Sequence, residues 1–151
     1  MTNDDLKTSL TNLHPTVVFE DGGEWINVFV EFSDFKNFAK TLRSNDGLLF
    51  DYLFCLTCID WKTHFTMVYH FTSTIHRHQL VVKSKLDRNH PEIETICDIW
   101  RTAELHEREV YDLFGVKFIN HPDLRRLLLT DDWVGYPLRK DYEDPINMIK
   151  L

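Results

Sequence analysis

The stretch TMVYHFTSTIHRHQLVVKSKL, Thr66 to Leu86, decides the fold class. Two segments rich in β-formers, TMVYHF and QLVVKSKL, flank the polar TSTIHRH, which reads as an exposed hairpin connection with His76 and His78 at its tip. Upstream, LLFDYLFCLTCIDW is compatible with a helix end followed by a buried strand, at a boundary that periodicity cannot place in so apolar a run. Further back, TVVF and EWINVFVE flank an Asp-Gly-Gly turn, predicting a hairpin. Asn3 to Leu13 sets Leu6, Leu10 and Leu13 on one side of a short helix. Ser33 suits the N-cap of a second helix with Phe35, Phe38, Ala39 and Leu42 on one face, stopped by Asn45-Asp46-Gly47.

Downstream of the hairpin, Pro91 fits a first helical position and Glu92 and Glu94 a first turn, so a helix is expected from there to Phe114, capped by Gly115. The order α, ββ, α, βββ, α predicts an α+β fold of two layers, helices packed on one mixed β-sheet. After the short β-like VKFI, residues 121–151 show no sustained period. We expect an α+β domain over 1–120 and an irregular C-terminal segment over 121–151. That segment carries Leu127 to Leu129, Trp133, Tyr136, Leu138 and Tyr142, too much apolar surface for a solvated tail. It is expected to dock on the domain and on a partner.

The composition narrows the function classes. A chain of 151 residues is the usual size of one domain, and eleven Phe, five Tyr and four Trp must find a core or a partner. The net charge of −7 argues against a nucleic-acid or anionic-membrane surface. Three cysteines are too few and odd in number for a disulfide framework, which suggests a reducing compartment. The N-terminal residues resemble neither a secretory signal nor a transit peptide, and no apolar run approaches the ~20 residues of a membrane helix.

Few residues are placed to carry chemistry. His106-Glu107 resembles the start of H-E-x-x-H, but Val110 stands where the second His is required. Cys55-Leu56-Thr57-Cys58 is a C-x-x-C inside an apolar run, with Cys97 the one further thiol, so core packing is the simpler reading than a metal or redox site. There is no glycine-rich phosphate loop, G-x-S-x-G or dinucleotide fingerprint. Glu107 is more informative: Ile93, Ile96, Cys97, Trp100 and Ala103 define an apolar stripe that extends to Glu107, Val110 and Phe114. A carboxylate there needs a partner, and Arg125, Arg126 or Arg139, folding back from the irregular segment, is expected to supply it.

Glu107-Arg108-Glu109 followed by YDLFGV, then FINHPDLRRLLLTDDWVGYPLRKDYE, is similar to the signature of the respiratory complex I 30 kDa subunit family, the C subunit of NADH-quinone oxidoreductase. The resemblance covers roughly Asp51 to Glu143 and includes VYHFTS, Asp60 and KLDRNHPEIETICDIW. Leu105 departs from it, standing where the family commonly has an aromatic residue. The resemblance implies a structural subunit of the peripheral arm of a proton-translocating enzyme, on the cytoplasmic side of the bacterial inner membrane and held to the membrane only through the complex. It implies no cofactor bound by this chain and no catalysis by it alone. NADH, flavin, iron-sulfur clusters and quinone would be handled by other subunits, with the quinone-site D subunit and the iron-sulfur B subunit as neighbours. An equivalent subunit of a membrane-bound hydrogenase or of a ferredoxin- or F420-linked relative is the alternative. The residues expected at the structural or partner interface are Glu107, Arg108, Glu109, Asp112, His121, Arg125, Arg126, Asp132, Trp133, Tyr136, Arg139 and Asp141. Among them Trp133 and Tyr136 would be anchors and the arginines forks.

Overall fold

In the computed structural model, residues 2–144 and 146 are described. The chain runs α1 (Asn3–Leu13), β1 (Val18–Glu20), β2 (Ile26–Phe29), α2 (Phe35–Ser44), β3 (Tyr52–Asp60), β4 (His64–Ser73), β5 (His78–Asp87), β6 (Glu92–Glu94), α3 (Ala103–Phe114) and β7 (Lys117–Ile119). The fold is α+β, with helices on a mixed sheet of order β1-β2-β5-β4-β3. All its pairings are antiparallel except β2 with β5. A second, two-stranded sheet pairs β6 with β7 in parallel.

The alternation of β4 sets the layers. Phe65, Met67, Tyr69 and Phe71 are fully buried on one face, as the two-residue strand period requires. Phe35 of α2 stacks on Tyr69 at 4.4 Å, Trp100 lies 4.6 Å from Phe71, and Phe114 of α3 meets Phe65 edge-on at 6.2 Å. The second and third helices therefore cover the same face. Burying each such ring contributes roughly 1.5–3 kcal/mol. Leu6 and Leu10 join that core from α1, and His14 at its C-cap packs edge-on against Phe38 of α2. Thr2 and Asp5 close a capping box at the start of α1, which satisfies N–H groups the helix leaves open.

Several sequence expectations are corrected. The second helix takes Asp34, not Ser33, as N-cap, without a side-chain capping bond. It ends at Ser44, so LLFDYLFCLTCIDW contains no helix end: Leu48 and Phe50 are buried in a loop before β3. His78 is not at a loop tip but buried at the start of β5, where Nε2 contacts the Leu48 carbonyl at 3.0 Å.

The expected helix from Pro91 does not form over its first half. Instead Ile93 pairs with Phe118 in the β6–β7 ladder, and the Pro91 carbonyl accepts the Lys117 N–H at 2.8 Å. β-branched Ile93, Thr95 and Ile96 favour the extended chain, and proline with two acids is as compatible with it as with a helix start. Ile93, Ile96, Trp100 and Ala103 of the expected stripe are buried all the same. Gly115 does cap α3, at φ 75°.

Candidate functional site

The last two turns of α3 bury three charged residues, Arg108 and Asp112 on the side facing the irregular segment and Glu107 on the core side, against the turn after β6. Charges buried this deeply require partners. For Asp112 and Arg108 the segment provides them.

Asp112 is the centre of a clasp. Its Oδ2 accepts the N–H groups of Leu127, Leu128 and Leu129 at 3.1, 2.7 and 2.9 Å, and its Oδ1 accepts Arg126 Nη1 at 2.9 Å. Three consecutive amides thus converge on one oxygen, an anion-binding nest. Burial alone would raise the pKa of this carboxyl, but the Leu129 amide, the Arg126 guanidinium and the other two amides hold it below the ordinary carboxylate value.

Arg126 spends its remaining donors on the backbone, with Nη1 to the Asp112 carbonyl and Nη2 to the carbonyls of Trp133 and Gly135, each of the latter at 3.0 Å. Arg108 donates to the carbonyls of Arg125 and Arg126 at 3.2 and 3.0 Å. These forks fold a stretch without helix or strand into one shape.

Beyond Gly135 the segment returns to the domain. Arg139 Nε donates to the Phe114 carbonyl at 2.6 Å, and the Leu138 N–H donates to the Leu113 carbonyl at 3.0 Å. The Arg139 guanidinium lies over both Phe65 and Tyr136, and Arg126 lies over Tyr136 as well. Tyr136 packs so closely on Gly115 that a Cβ there would sit 2.6 Å from its ring. Glycine is required here twice over, for the left-handed backbone and for the approach.

A further contact closes on β3. Arg88 bridges buried Asp60 and exposed Asp141, while Asp60 also accepts the Lys140 N–H at 2.8 Å. The Arg88 side chain above all, and then the amides of Lys140 and Lys62, hold Asp60 well below the ordinary carboxylate value against the opposing effect of burial.

Glu107 is turned inward and fully buried, as its place on the stripe predicts, but its partner is not an arginine. Its Oε1 accepts the Ile96 N–H at 2.9 Å and its Oε2 accepts the Thr95 hydroxyl. Arg126 and Arg139 are committed as above, and Arg125 is exposed and paired with Asp123. Burial pushes the Glu107 carboxyl up to about 7, against the Ile96 and Thr95 hydrogen bonds. A largely desolvated acid of this kind is cheaper to keep neutral than charged.

His121 sits beside it with its side chain inaccessible and Nε2 3.8 Å from Oε2 of Glu107. Of the remaining expected residues, Glu109 and Asp132 are exposed and outside the clasp. Trp133 and Tyr136 are half-buried, Trp133 with its Nε1 buried and unpartnered among the described residues. Sequence reasoning missed Thr95 and Arg88. Both lie within the family-like KLDRNHPEIETICDIW, but no local pattern signals the role of Thr95, which depends on the turn that replaces the expected helix.

For metal binding, Val110 is core, and Cys58 of the C-x-x-C is buried with its thiol pushed up to about 12, first by desolvation and then by Asp60. Among the described residues the ligating atoms of Cys97, Glu107 and His121 lie within 4.8 Å of one another. The outer side of the segment exposes Leu128 and Val134, at 65% and 86%, with Leu138 further along at 52%. These apolar side chains ride on a backbone whose clasping charges point the other way.

Residues 28–146 match the family described as respiratory-chain NADH dehydrogenase, 30 Kd subunit. The chain belongs to that family. Among its relatives is the C subunit of NADH-quinone oxidoreductase from Moorella thermoacetica, 37% identical over 92% of this chain and 94% of its own. Another is the C/D subunit of NADH-quinone oxidoreductase from Phocaeicola vulgatus, 44% identical over 81% of this chain but only 24% of its own. The chain thus spans about a quarter of that longer relative. A trypsin-resistant fragment of Nqo5 has a similar fold, with TM-score 0.68 and 25% identity over 82% of this chain and all of the fragment. The ERE and HPDLRR stretches that resemble the family supply Arg108 and Arg126 to the clasp. Among the described residues no helix is long and apolar enough to cross a membrane.

Proposed function

We infer that the chain is a cofactor-free structural subunit of the peripheral arm of a proton-translocating NADH-quinone oxidoreductase. It supports electron transfer from NADH to quinone by holding neighbouring subunits, with flavin, iron-sulfur clusters and quinone bound elsewhere in the complex. The quinone-site D subunit is the first neighbour and the iron-sulfur B subunit the second, on the cytoplasmic side of the membrane. The observation that carries this reading is the clasped segment: its backbone from Leu127 to Gly135 is held inward by Asp112 and Arg126 while Leu128 and Val134 face out. Apolar surface fixed on a rigid backbone is what a permanent interface needs, since little ordering entropy remains to be lost on docking. The C/D relative supports the quinone-site subunit as the neighbour, because its name joins the C and D subunits in one polypeptide.

Leu128→Asp and Val134→Asp alter only exposed side chains. Each should leave the isolated chain folded and lower co-purification of the quinone-site subunit from native membranes. Wild-type recovery of that subunit with both variants would overturn the docking assignment. Trp133→Ala is expected to act in the same direction, with part of its effect arising from packing inside the segment.

A further inference from the structure

Three successive parts of the chain bring a thiol, a carboxylate and an imidazole to one point: Cys97 from the turn after β6, Glu107 from α3 and His121 from the start of the segment. We propose that these three side chains form a binding site for a single divalent transition-metal ion of the zinc type. The site would staple the β6–α3 corner to the origin of the irregular segment. It is independent of the docking role above, and the ion would be a structural staple, distinct from the redox cofactors that the proposed function leaves to other subunits.

The donor set is the first argument. One thiolate, one carboxylate and one imidazole suit a borderline-soft ion, and three protein ligands leave a fourth position for water. Geometry is the second. Zinc–ligand lengths of about 2.0–2.3 Å in a tetrahedron place ligand atoms roughly 3.3–3.6 Å apart. His121 Nε2 and Glu107 Oε2, at 3.8 Å, are already near this, and all three ligating atoms fall within 4.8 Å of one another. Closure to that tetrahedron takes about an ångström of side-chain movement.

Burial and access are the third. Glu107 is fully buried, and Lys36, the cation that bears on it, is bonded to the Thr95 carbonyl and Asp98 instead, so a bound ion would supply a direct countercharge. An open cleft of about 510 Å³ bordered by Cys97, Asp98, Arg101, Glu104 and Asn120 brings solvent to the Cys97 side of the site.

Without metal the same groups are held by hydrogen bonds. Thr95 and Ile96 donate to Glu107, the Asp123 N–H donates to His121 Nδ1 at 3.0 Å, and Nε2 contacts the Glu104 carbonyl at 3.1 Å. Ligation by Nε2 moves the ring proton to Nδ1, displacing the Asp123 N–H bond and offering that proton to the nearby Asp123 carboxylate. A carboxylate is a usual outer partner of a metal-bound histidine. The thiol proton of Cys97 and the carboxyl proton of neutral Glu107 both leave to solvent as the ion takes their place.

The test titrates the purified full chain with Co2+, which reports thiolate ligation by a charge-transfer absorption, followed by displacement with Zn2+. One ion per chain and a thiolate band are expected. Cys97→Ala should abolish the band and weaken binding by more than about tenfold, a loss in the range seen when even outer partners are removed. The double variant Cys55→Ala/Cys58→Ala should retain it. No band in the wild type, a band surviving in Cys97→Ala, or a band lost with the C-x-x-C pair would each overturn the site. Should Cys97→Ala fail to fold, X-ray absorption of the zinc-loaded wild type decides. One sulfur among nitrogen and oxygen ligands upholds the proposal, and a shell with no sulfur or with two overturns it.

Discussion

Replacing Asp112 by Asn tests the clasp most directly, because the substitution keeps the shape of the side chain and removes its charge. In the native chain one carboxylate oxygen collects three backbone N–H groups and the other faces Arg126. The asparagine oxygen can serve only one of these positions. If it keeps the three amides, its NH2 points at the Arg126 guanidinium, donor against donor, and that buried cation loses its counterion. Breaking one partner of a buried ion pair costs about 3–5 kcal/mol, and the retained amide bonds favour the lower end.

About 3 kcal/mol corresponds to an increase on the order of 10² in the equilibrium constant for releasing the segment. Hydrogen exchange at the amides of Leu127, Leu128 and Leu129 reads that constant locally, whether or not the domain also unfolds. Glu92→Gln is the control: its carboxylate is 48% exposed and pairs with exposed Lys117, a type of ion pair worth at most about 1 kcal/mol. Exchange in Asp112→Asn within about threefold of wild type would refute the view that this carboxylate organises the segment.

Gly115→Ala should destabilise the chain by on the order of 2–4 kcal/mol in denaturant unfolding, combining a strained left-handed backbone with overpacking against Tyr136 and Arg139. Adding Tyr136→Leu should recover part of the loss, and no recovery would argue against the steric account. Stability should also fall in acid through Asp60. Its folded pKa lies below the unfolded value of about 4, so its contribution is fully present above about pH 4 and is lost as pH falls through the folded value. Arg88→Leu, which removes the main cause of that depression, should flatten the slope of thermal midpoint against pH below about 4; an unchanged slope would exclude Asp60 as its source.

The legible parts of the fold are those in which one face alone decides. The first two helices follow from Leu6 and Leu10 and from Phe35, Phe38, Ala39 and Leu42, all buried where the period puts them, although Leu13, expected on the same side of α1, is exposed at its last turn. The hairpin of β4 and β5 follows from its β-formers and polar connection. The parallel pairing of β2 with β5 is not legible, because it joins strands far apart in the chain and no local signal encodes it. The reading of residues 91–102 failed because proline and acids suit a helix start, while the ladder with Lys117 to Ile119 that overrides them is a long-range contact.

That single misreading also hid the partner of Glu107. Its inward turn follows from the stripe, but the Thr95 and Ile96 donors exist only once the chain turns at that point. For residues 121–144 of the segment, irregular shape and apolar content were legible, while 145 and 147–151 of the expected segment lie outside the described residues. The division of labour among Arg108, Arg126 and Arg139 was not, since each binds backbone carbonyls that carry no sequence signature.

Phe65, Arg139, Tyr136 and Arg126 form one column of alternating rings and guanidinium groups running from the sheet outward into the segment. Each guanidinium is flat and weakly hydrated, so it can lie face-on against a ring while its edge donates in a fixed fork to several carbonyls, a geometry that an ammonium lacks. The column is largely shielded from solvent, and mobile ions screen such contacts far less than exposed pairs. Ionic strength high enough to strip exposed charge contacts from a multi-subunit assembly would therefore leave the segment seated on its own domain. A lysine at position 126 or 139 would release it in dilute buffer.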